Sequence, residues 1–261
     1  MIVVKFGGHA MKDENGLFAS AIKSAHSQGE SVLVVHGGGP QIDAALMKAG
    51  IEPHFIGGFR VTTPEVFEIV NRVLADEVGP SLVEKLKSDG VESVALSGYR
   101  EKIIKASQLE KLVDGSSAHL GWVGTVTSID ISPLKKAIES GLTVVLSPVG
   151  ISADMSHGFN INADLAAAAV AGALSATQLI VMTDVAGIYS AWPDKSSLIH
   201  EISAKELSAI KGTFTEGMAP KVQACLDAIN AGAKAVRIID GRDPTAFLAA
   251  LNGTGGTLVA A

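Results

Sequence analysis

Short runs of valine and isoleucine alternate along this chain with longer stretches in which apolar residues recur at helical spacing. The apolar runs at 2–6, 31–35, 91–96, 143–146, 179–182 and 235–239 predict strands. None alternates between apolar and polar positions, as expected of parallel strands covered on both faces. Gly29, Gly50, Gly90, Gly141 and Gly232 each follow a helical stretch, where a left-handed residue ends a helix. Four of them precede a strand, whereas Gly50 leads into a loop. This repetition predicts right-handed βαβ units and an α/β fold with an open, mostly parallel sheet.

Two segments break the alternation. Residues 54–63 hold Gly57-Gly58 ahead of Arg60-Val61-Thr62, and residues 102–126 hold strand-like pieces around Asp114-Gly115. Both read as β-hairpins inserted into the frame, serving a ligand site as lid or wall, or merely packing. Residues 64–87 carry a long helical pattern that Gly79-Pro80 should kink or split. The weakest seam lies at 148–158 and suggests two lobes, 1–152 and 153–261.

Composition narrows the classes. With 47% apolar and 18% charged residues over 261 positions, the chain can bury a large core and is not disordered. Twenty-one Lys+Arg against 27 Asp+Glu gives −6, the wrong sign for a nucleic-acid binder, and 5% aromatics leave little for base stacking. The one cysteine, Cys225, excludes an internal disulfide and a cysteine zinc site. Mean hydropathy is +0.33. The most apolar stretch, 166–182, is nonetheless cut by Ser175, Thr177 and Gln178, short of the ~20 residues of a membrane span. A soluble cytoplasmic protein without membrane attachment is expected.

Candidate chemistry sits where strands end in glycine. Lys5-Phe6-Gly7-Gly8 closes the first strand, and backbone N–H groups there can approach an anion that Lys5 also reaches. His36-Gly37-Gly38-Gly39-Pro40 joins the second strand to a helix, aiming free N–H groups and a helix dipole at a negative ligand. It is neither a Walker A loop nor Gly-x-Gly-x-x-Gly. His36 itself reads as a packed imidazole. Arg60, on the first hairpin, offers a fork that fits a carboxylate, or is a solvated side chain. Asn160-Ile161-Asn162-Ala163-Asp164 precedes an alanine-rich helix, with Asn162 as N-cap and Asp164 at its positive end. Thr183-Asp184-Val185-Ala186-Gly187 follows a strand, where α/β sheets bind ligands. In Gly217-Met218-Ala219-Pro220-Lys221, a lysine in the first helical turn opposes the dipole, which fits a nearby anion or plain exposure. Cys225 lies beside an apolar helix face and reads as packing.

These motifs occur in the order found in the amino acid kinase family, and the chain resembles that family from Val3 to Gly255-Gly256-Thr257. The likeness is greatest to members that phosphorylate N-acetyl-L-glutamate in arginine biosynthesis. It implies an α/β/α sandwich, with the acyl substrate held by residues 1–152 and ATP by 153–261. It further implies that Lys5 and Lys221 neutralise the transferred phosphoryl group, that Asp164 orients them, and that Gly7, Gly8, Gly38 and Gly39 donate backbone N–H groups. Arg60 and Asn160 would hold the substrate's α-carboxylate side. Thr183, Asp184, Gly187, Gly217 and Met218, with the two lysines, would form the nucleotide site. Mg2+ would be carried mainly by the ATP phosphates, with no metal site built from the protein.

The chain departs from the family where Leu96-Ser97-Gly98 continues as Tyr99-Arg100-Glu101-Lys102, and where Gly79-Pro80 replaces Asn-Lys in the helix of the family's dimer interface. A homodimer is expected, without the N-terminal helix of arginine-inhibited members. Two alternatives stand beside this reading: a kinase of carrier-protein-bound aminoadipate or glutamate in lysine biosynthesis, and a non-catalytic nucleotide sensor on the same fold.

Overall fold

The structure is a computed structural model that describes residues 1–7, 16–112, 115–214 and 218–261. Its first part runs β1 (Ile2–Phe6), α1 (Leu17–Ser27), β2 (Val32–His36) and α2 (Gly39–Lys48). A hairpin of β3 (Phe55–Ile56) and β4 (Phe59–Arg60) follows, then α3 (Pro64–Arg72), a π-helical turn (Val73–Val78) and α4 (Gly79–Ser88). After these come β5 (Ser93–Ser97), β6 (Ile104–Gln108), β7 (Val123–Ile129), α5 (Ser132–Glu139), β8 (Thr143–Ser147) and β9 (Val149–Ser152). The second part holds β10 (Gly158–Ile161), α6 (Ala163–Ala173), β11 (Gln178–Thr183), β12 (Ile188–Tyr189), β13 (Leu198–Ile199) and β14 (Glu201–Ser203). It ends with α7 (Ala204–Ile210), α8 (Met218–Asn230), β15 (Ala235–Asp240), α9 (Ala246–Leu251) and β16 (Thr257–Ala260).

All six strands expected from the apolar runs form, and they pair side by side in parallel, from β15 to the edge strand β5, in one eight-stranded sheet of order β14-β16-β15-β11-β1-β2-β8-β5. Along them, alternate residues serve opposite faces. Val3, Leu33, Val144, Leu179 and Val236 meet α5, α6 and α8 on one side. Val4, Val34, Val145 and Ile180 meet α1, α4 and α9 on the other. The result is an α/β/α sandwich. The sheet is continuous through both halves of the chain, because β1 pairs with β11.

The five helix-ending glycines all adopt positive φ, between 76° and 111°. Gly57 and Gly58 do so too (57° and 83°), so the β3–β4 turn bends as two-residue hairpins require. The 102–126 region also forms an antiparallel pair, β6 with β7. Of its expected turn dipeptide, Asp114 lies outside the described residues, while Gly115 has φ 85°.

The irregularity expected at Gly79-Pro80 takes the form of a π turn between α3 and α4: Gly79 N–H donates to Leu74 O five residues back, and the wider turn accommodates Pro80, which has no N–H and would crowd a tight turn. The 148–158 segment, where the sequence places the boundary between the two lobes, holds regular structure. Its strand β9 is buried throughout and pairs with β10. Together with β6 and β7 these strands close a four-stranded barrel beside the main sheet.

Candidate active site

The site forms at the carboxyl ends of β1, β2 and β11. The two glycine turns lie against each other: Gly37 N donates to Phe6 O at 2.7 Å, and a Cβ on Gly37 would stand 3.5 Å from Gly7 Cα. The two turns thus lie within van der Waals reach of each other. At Gly38 the Leu74 side chain already fills the Cβ position (2.6 Å), whereas a Cβ on Gly39 would point into open space. Gly39 opens α2, followed by Pro40 in the first turn as expected. Gly8 lies outside the described residues, as does Gly217.

His36 is fully buried behind this loop. Its Nδ1 lies 2.7 Å from Gly37 O, so Nδ1 carries the proton, and Nε2 faces Ser147 Oγ at 2.9 Å. Ser147 Oγ also lies within donating distance of Leu74 O, 3.1 Å away. Burial pushes the imidazole down to about 4, with the Gly37 hydrogen bond opposing. The expectation of a packed, hydrogen-bonded histidine holds. An unfolded histidine titrates near 6.5, so between that pH and about 4 the unfolded chain binds more protons than the folded one. Stability present above pH 6.5 should therefore fall by up to about 3 kcal/mol as the pH drops toward 4. Urea unfolding at pH 7, 5.5 and 4.5 measures the slope, and His36→Asn should flatten it.

A buried ion-pair triad occupies the centre. Asn162 caps α6, its Oδ1 accepting from Asp164 N at 2.8 Å and Leu165 N at 3.3 Å. Asp164 follows in the first helical turn, 5% exposed. Its Oδ2 accepts from Lys221 Nζ at 2.9 Å, and Oδ1 faces Lys5 Nζ at 3.1 Å without hydrogen-bond alignment. Burial pushes the Asp164 carboxyl up, but the Lys5 and Lys221 ammoniums outweigh it and hold the group at about 2. Lys221 lies in the first turn of α8 as described, and the anion that its opposition to the dipole suggested is Asp164. Lys5 Nζ also donates to Met182 O at 3.4 Å, which ties the triad to the end of β11. Cys225 is buried nearby; burial foremost and the Asp164 charge raise its thiol, so it packs rather than reacts.

A cavity of about 180 Å³ is lined by Gly38, Gly39, Arg60, Val123, Asn160 and Ala163 among others, and Ala163 immediately precedes Asp164 of the triad. Arg60 is not solvated: it is 8% exposed, with its Nη1 donating to Asp43 at 2.6 Å and its guanidinium 4.6 Å from the Phe55 ring centroid. Asn160 Nδ2 donates to Thr62 Oγ1, which donates to Arg60 O (3.0 and 2.8 Å). Thus the β3–β4 hairpin and β10 meet as one wall. On the β11 side, Thr183 Oγ1 donates to Asp184 Oδ1 at 3.0 Å. Gly187 packs on Thr257, where a Cβ would come within 2.4 Å of Oγ1, and Met218 packs partly buried against the core. Among the sequence-predicted residues, Lys5, Lys221 and Asp164 are in contact, Gly38, Gly39, Arg60 and Asn160 line the cavity, and Gly187 is held by packing.

Sequence reasoning missed Asp43, Phe55, Thr62 and Ser147. Asp43 is a lone acidic residue on a predicted helix and reads as an ordinary solvated side chain; Thr62 had a signal, since it closes the Arg60-Val61-Thr62 stretch. The departing residues Tyr99 and Arg100 also find partners: Tyr99 packs edge-on against Phe67, and Arg100 pairs through both terminal nitrogens with Asp76 in the π turn. Among the described residues no helix is long and apolar enough to cross a membrane.

A model of the amino acid kinase family matches residues 1–240. Acetylglutamate kinase of Paenarthrobacter aurescens is 42% identical over 258 residues, covering 95% of this chain and 82% of that protein. The acetylglutamate kinase of Salinispora tropica is 44% identical over 244 residues, covering 92% and 82%. Among solved structures, the protein smu.665 of Streptococcus mutans UA159 superposes with a TM-score of 0.82 at 31% identity, over 99% of this chain and 98% of that one. With two glycine-ended strands, a buried lysine–aspartate–lysine triad and these relatives, the chain belongs to the amino acid kinase family.

Proposed function

We propose that this chain transfers the γ-phosphoryl group of ATP to the γ-carboxylate of N-acetyl-L-glutamate, yielding an acyl phosphate and ADP in arginine biosynthesis. The observation that carries the reading is the Lys5–Asp164–Lys221 triad beside a cavity walled by glycine backbone and a buried arginine. Relatives at 42–44% identity over nearly the whole chain bear the name acetylglutamate kinase.

The physical problem is the meeting of two anions. A γ-carboxylate with a pKa of about 4.3 is ionised at neutral pH and needs no general base. Its oxygen forms the new bond to the γ-phosphorus as the bond to the bridging oxygen breaks and ADP leaves. What the protein supplies is position and positive potential. Lys221 donates to Asp164 and Lys5 pairs with it by charge, which fixes the ammoniums while leaving N–H groups for phosphate oxygens. Gly7, Gly8, Gly38 and Gly39 supply backbone donors in this reading. Arg60 and Asn160 hold the α-carboxylate side of the substrate, and Thr183, Asp184, Gly187, Gly217 and Met218 contribute the nucleotide pocket. Residues 1–152, joined by Asn160, thereby serve mainly the acyl substrate and 153–261 mainly the nucleotide.

Both Asp164 oxygens face ammoniums, so this carboxylate is not free to bind Mg2+, which suits a metal carried mainly by ATP. When bound, Mg2+ would screen phosphate charge. A cytoplasmic homodimer completes the proposal.

An ADP-release assay over N-acetylglutamate, glutamate, aspartate, carbamate and UMP tests the reading, with N-acetylglutamate expected to be preferred. No release with it, but release with aminoadipate or glutamate on a carrier protein, would reverse the substrate assignment. ATP binding without turnover of any acceptor would instead indicate a sensor. Arg60→Ala is expected to raise the N-acetylglutamate KM by about 10- to 100-fold, the worth of a hydrogen-bonded charge pair, with less effect on kcat. An unchanged KM would remove Arg60 from the substrate site.

A further inference from the structure

We propose that Asp43 is a positioning residue that aims the Arg60 guanidinium at the substrate's α-carboxylate; this rests on the assignment of Arg60 to that carboxylate. Asp43 is not among the residues lining the cavity, whereas Arg60 is. Its Oδ1 accepts from Arg60 Nη1 at 2.6 Å, and the Phe55 ring lies 4.6 Å from the guanidinium carbon. Among the described residues Nη2 and Nε make no side-chain hydrogen bond, so the fork is gripped at one nitrogen and over one face while its remaining edge stays available. A guanidinium can accept a second carboxylate on that edge.

The placement of Asp43 gives the grip a further consequence. It lies on α2, one helical turn after Gly39, which lines the cavity. The ion pair therefore ties the hairpin that carries Arg60 to the helix that opens with the glycine turn. Both proposed substrate walls are thus linked through this pair. An arginine side chain has several rotatable bonds, and fixing them before the substrate arrives lowers the ordering that binding must accomplish. Asp43 is 40% exposed, so its charge is screened and the effect is of moderate size.

The test compares Asp43→Ala and Asp43→Asn with two acyl ligands: N-acetylglutamate, and 4-acetamidobutyrate, which lacks the α-carboxylate and is measured as substrate or as competitive inhibitor. Asp43→Ala should raise the N-acetylglutamate KM about tenfold, with kcat within about twofold of wild type. Asp43→Asn, which keeps an oxygen acceptor for Nη1, should raise it by about threefold or less. The 4-acetamidobutyrate constant should be the same in wild type and Asp43→Ala, and in an Arg60→Ala background the Asp43→Ala change should add nothing. A lowered KM would make Asp43 a competitor of the substrate and overturn the proposal. So would an unchanged KM, or an equal loss with 4-acetamidobutyrate. If Arg60→Ala itself leaves the N-acetylglutamate KM unchanged, the substrate-site assignment fails; if it raises KM and Asp43→Ala does not, only the role of Asp43 fails.

Discussion

Replacing Lys5 or Lys221 by alanine is expected to lower kcat by about two to three orders of magnitude, with a smaller change in the acyl-substrate KM. Removing one preorganised donor from a developing negative charge typically has that effect. The two ammoniums are the side-chain cations placed on Asp164, 12% and 16% exposed, where solvent screens them little. Their contribution grows as the phosphoryl group moves between carboxylate and ADP, so it registers in kcat more than in ground-state binding. The double variant should fall less than the product of the two single losses, because the lysines share one carboxylate and act as a unit. Steady-state ADP release measures all three variants, and wild-type kcat in both single variants would refute the assignment. Lys→Arg at either position should not restore the rate, since a planar guanidinium cannot replace a compact ammonium beside the carboxylate.

The central sheet was legible because parallel strands buried on both faces leave uninterrupted apolar runs, as in Val32–His36 and Thr143–Ser147. The strands that escaped lack that signature. β16 is a four-residue strand with alternating burial, and β10 begins with Gly158, where a Cβ would collide with the Phe67 ring. Gly158 looks like loop chemistry in sequence but is a packing requirement in space. The site divided along a similar line. Each triad residue carried a local cue: Lys5 before glycines, Asp164 behind an N-cap, Lys221 against a helix dipole. Their convergence could not be read from spacing, since Asp164 and Lys221 are 57 residues apart and meet only through the packing of α6 on α8. Only the family resemblance brought them together before the structure did. Asp43 had no cue at all, because a carboxylate on an exposed helix face is the commonest of surface features and its partner lies on a distant hairpin.

Asp164→Asn should be the most damaging single change to stability, about 3–5 kcal/mol in urea or guanidinium unfolding, and should also lower kcat severely. The native carboxyl is held ionised down to about pH 2, so throughout the working range it balances two largely buried ammoniums. An amide of the same shape leaves those charges facing each other, and breaking a buried pair by removing one partner costs about that much. The same charge argument separates an organiser from a general base. A base would impose an acid limb on the kcat profile near its own pKa, which lies far below neutral pH, and the ionised substrate carboxylate offers no proton to take. Substituting all three members with apolar residues of similar size, Lys5→Met, Asp164→Leu and Lys221→Met, should recover much of the lost stability without recovering any turnover, because the uncompensated charges go with them. A triple variant as unstable as Asp164→Asn would mean that shape, not charge, holds this part of the core. Recovery of folding without catalysis would mean that the triad is kept at some expense in stability for the positive potential it presents to a phosphoryl group.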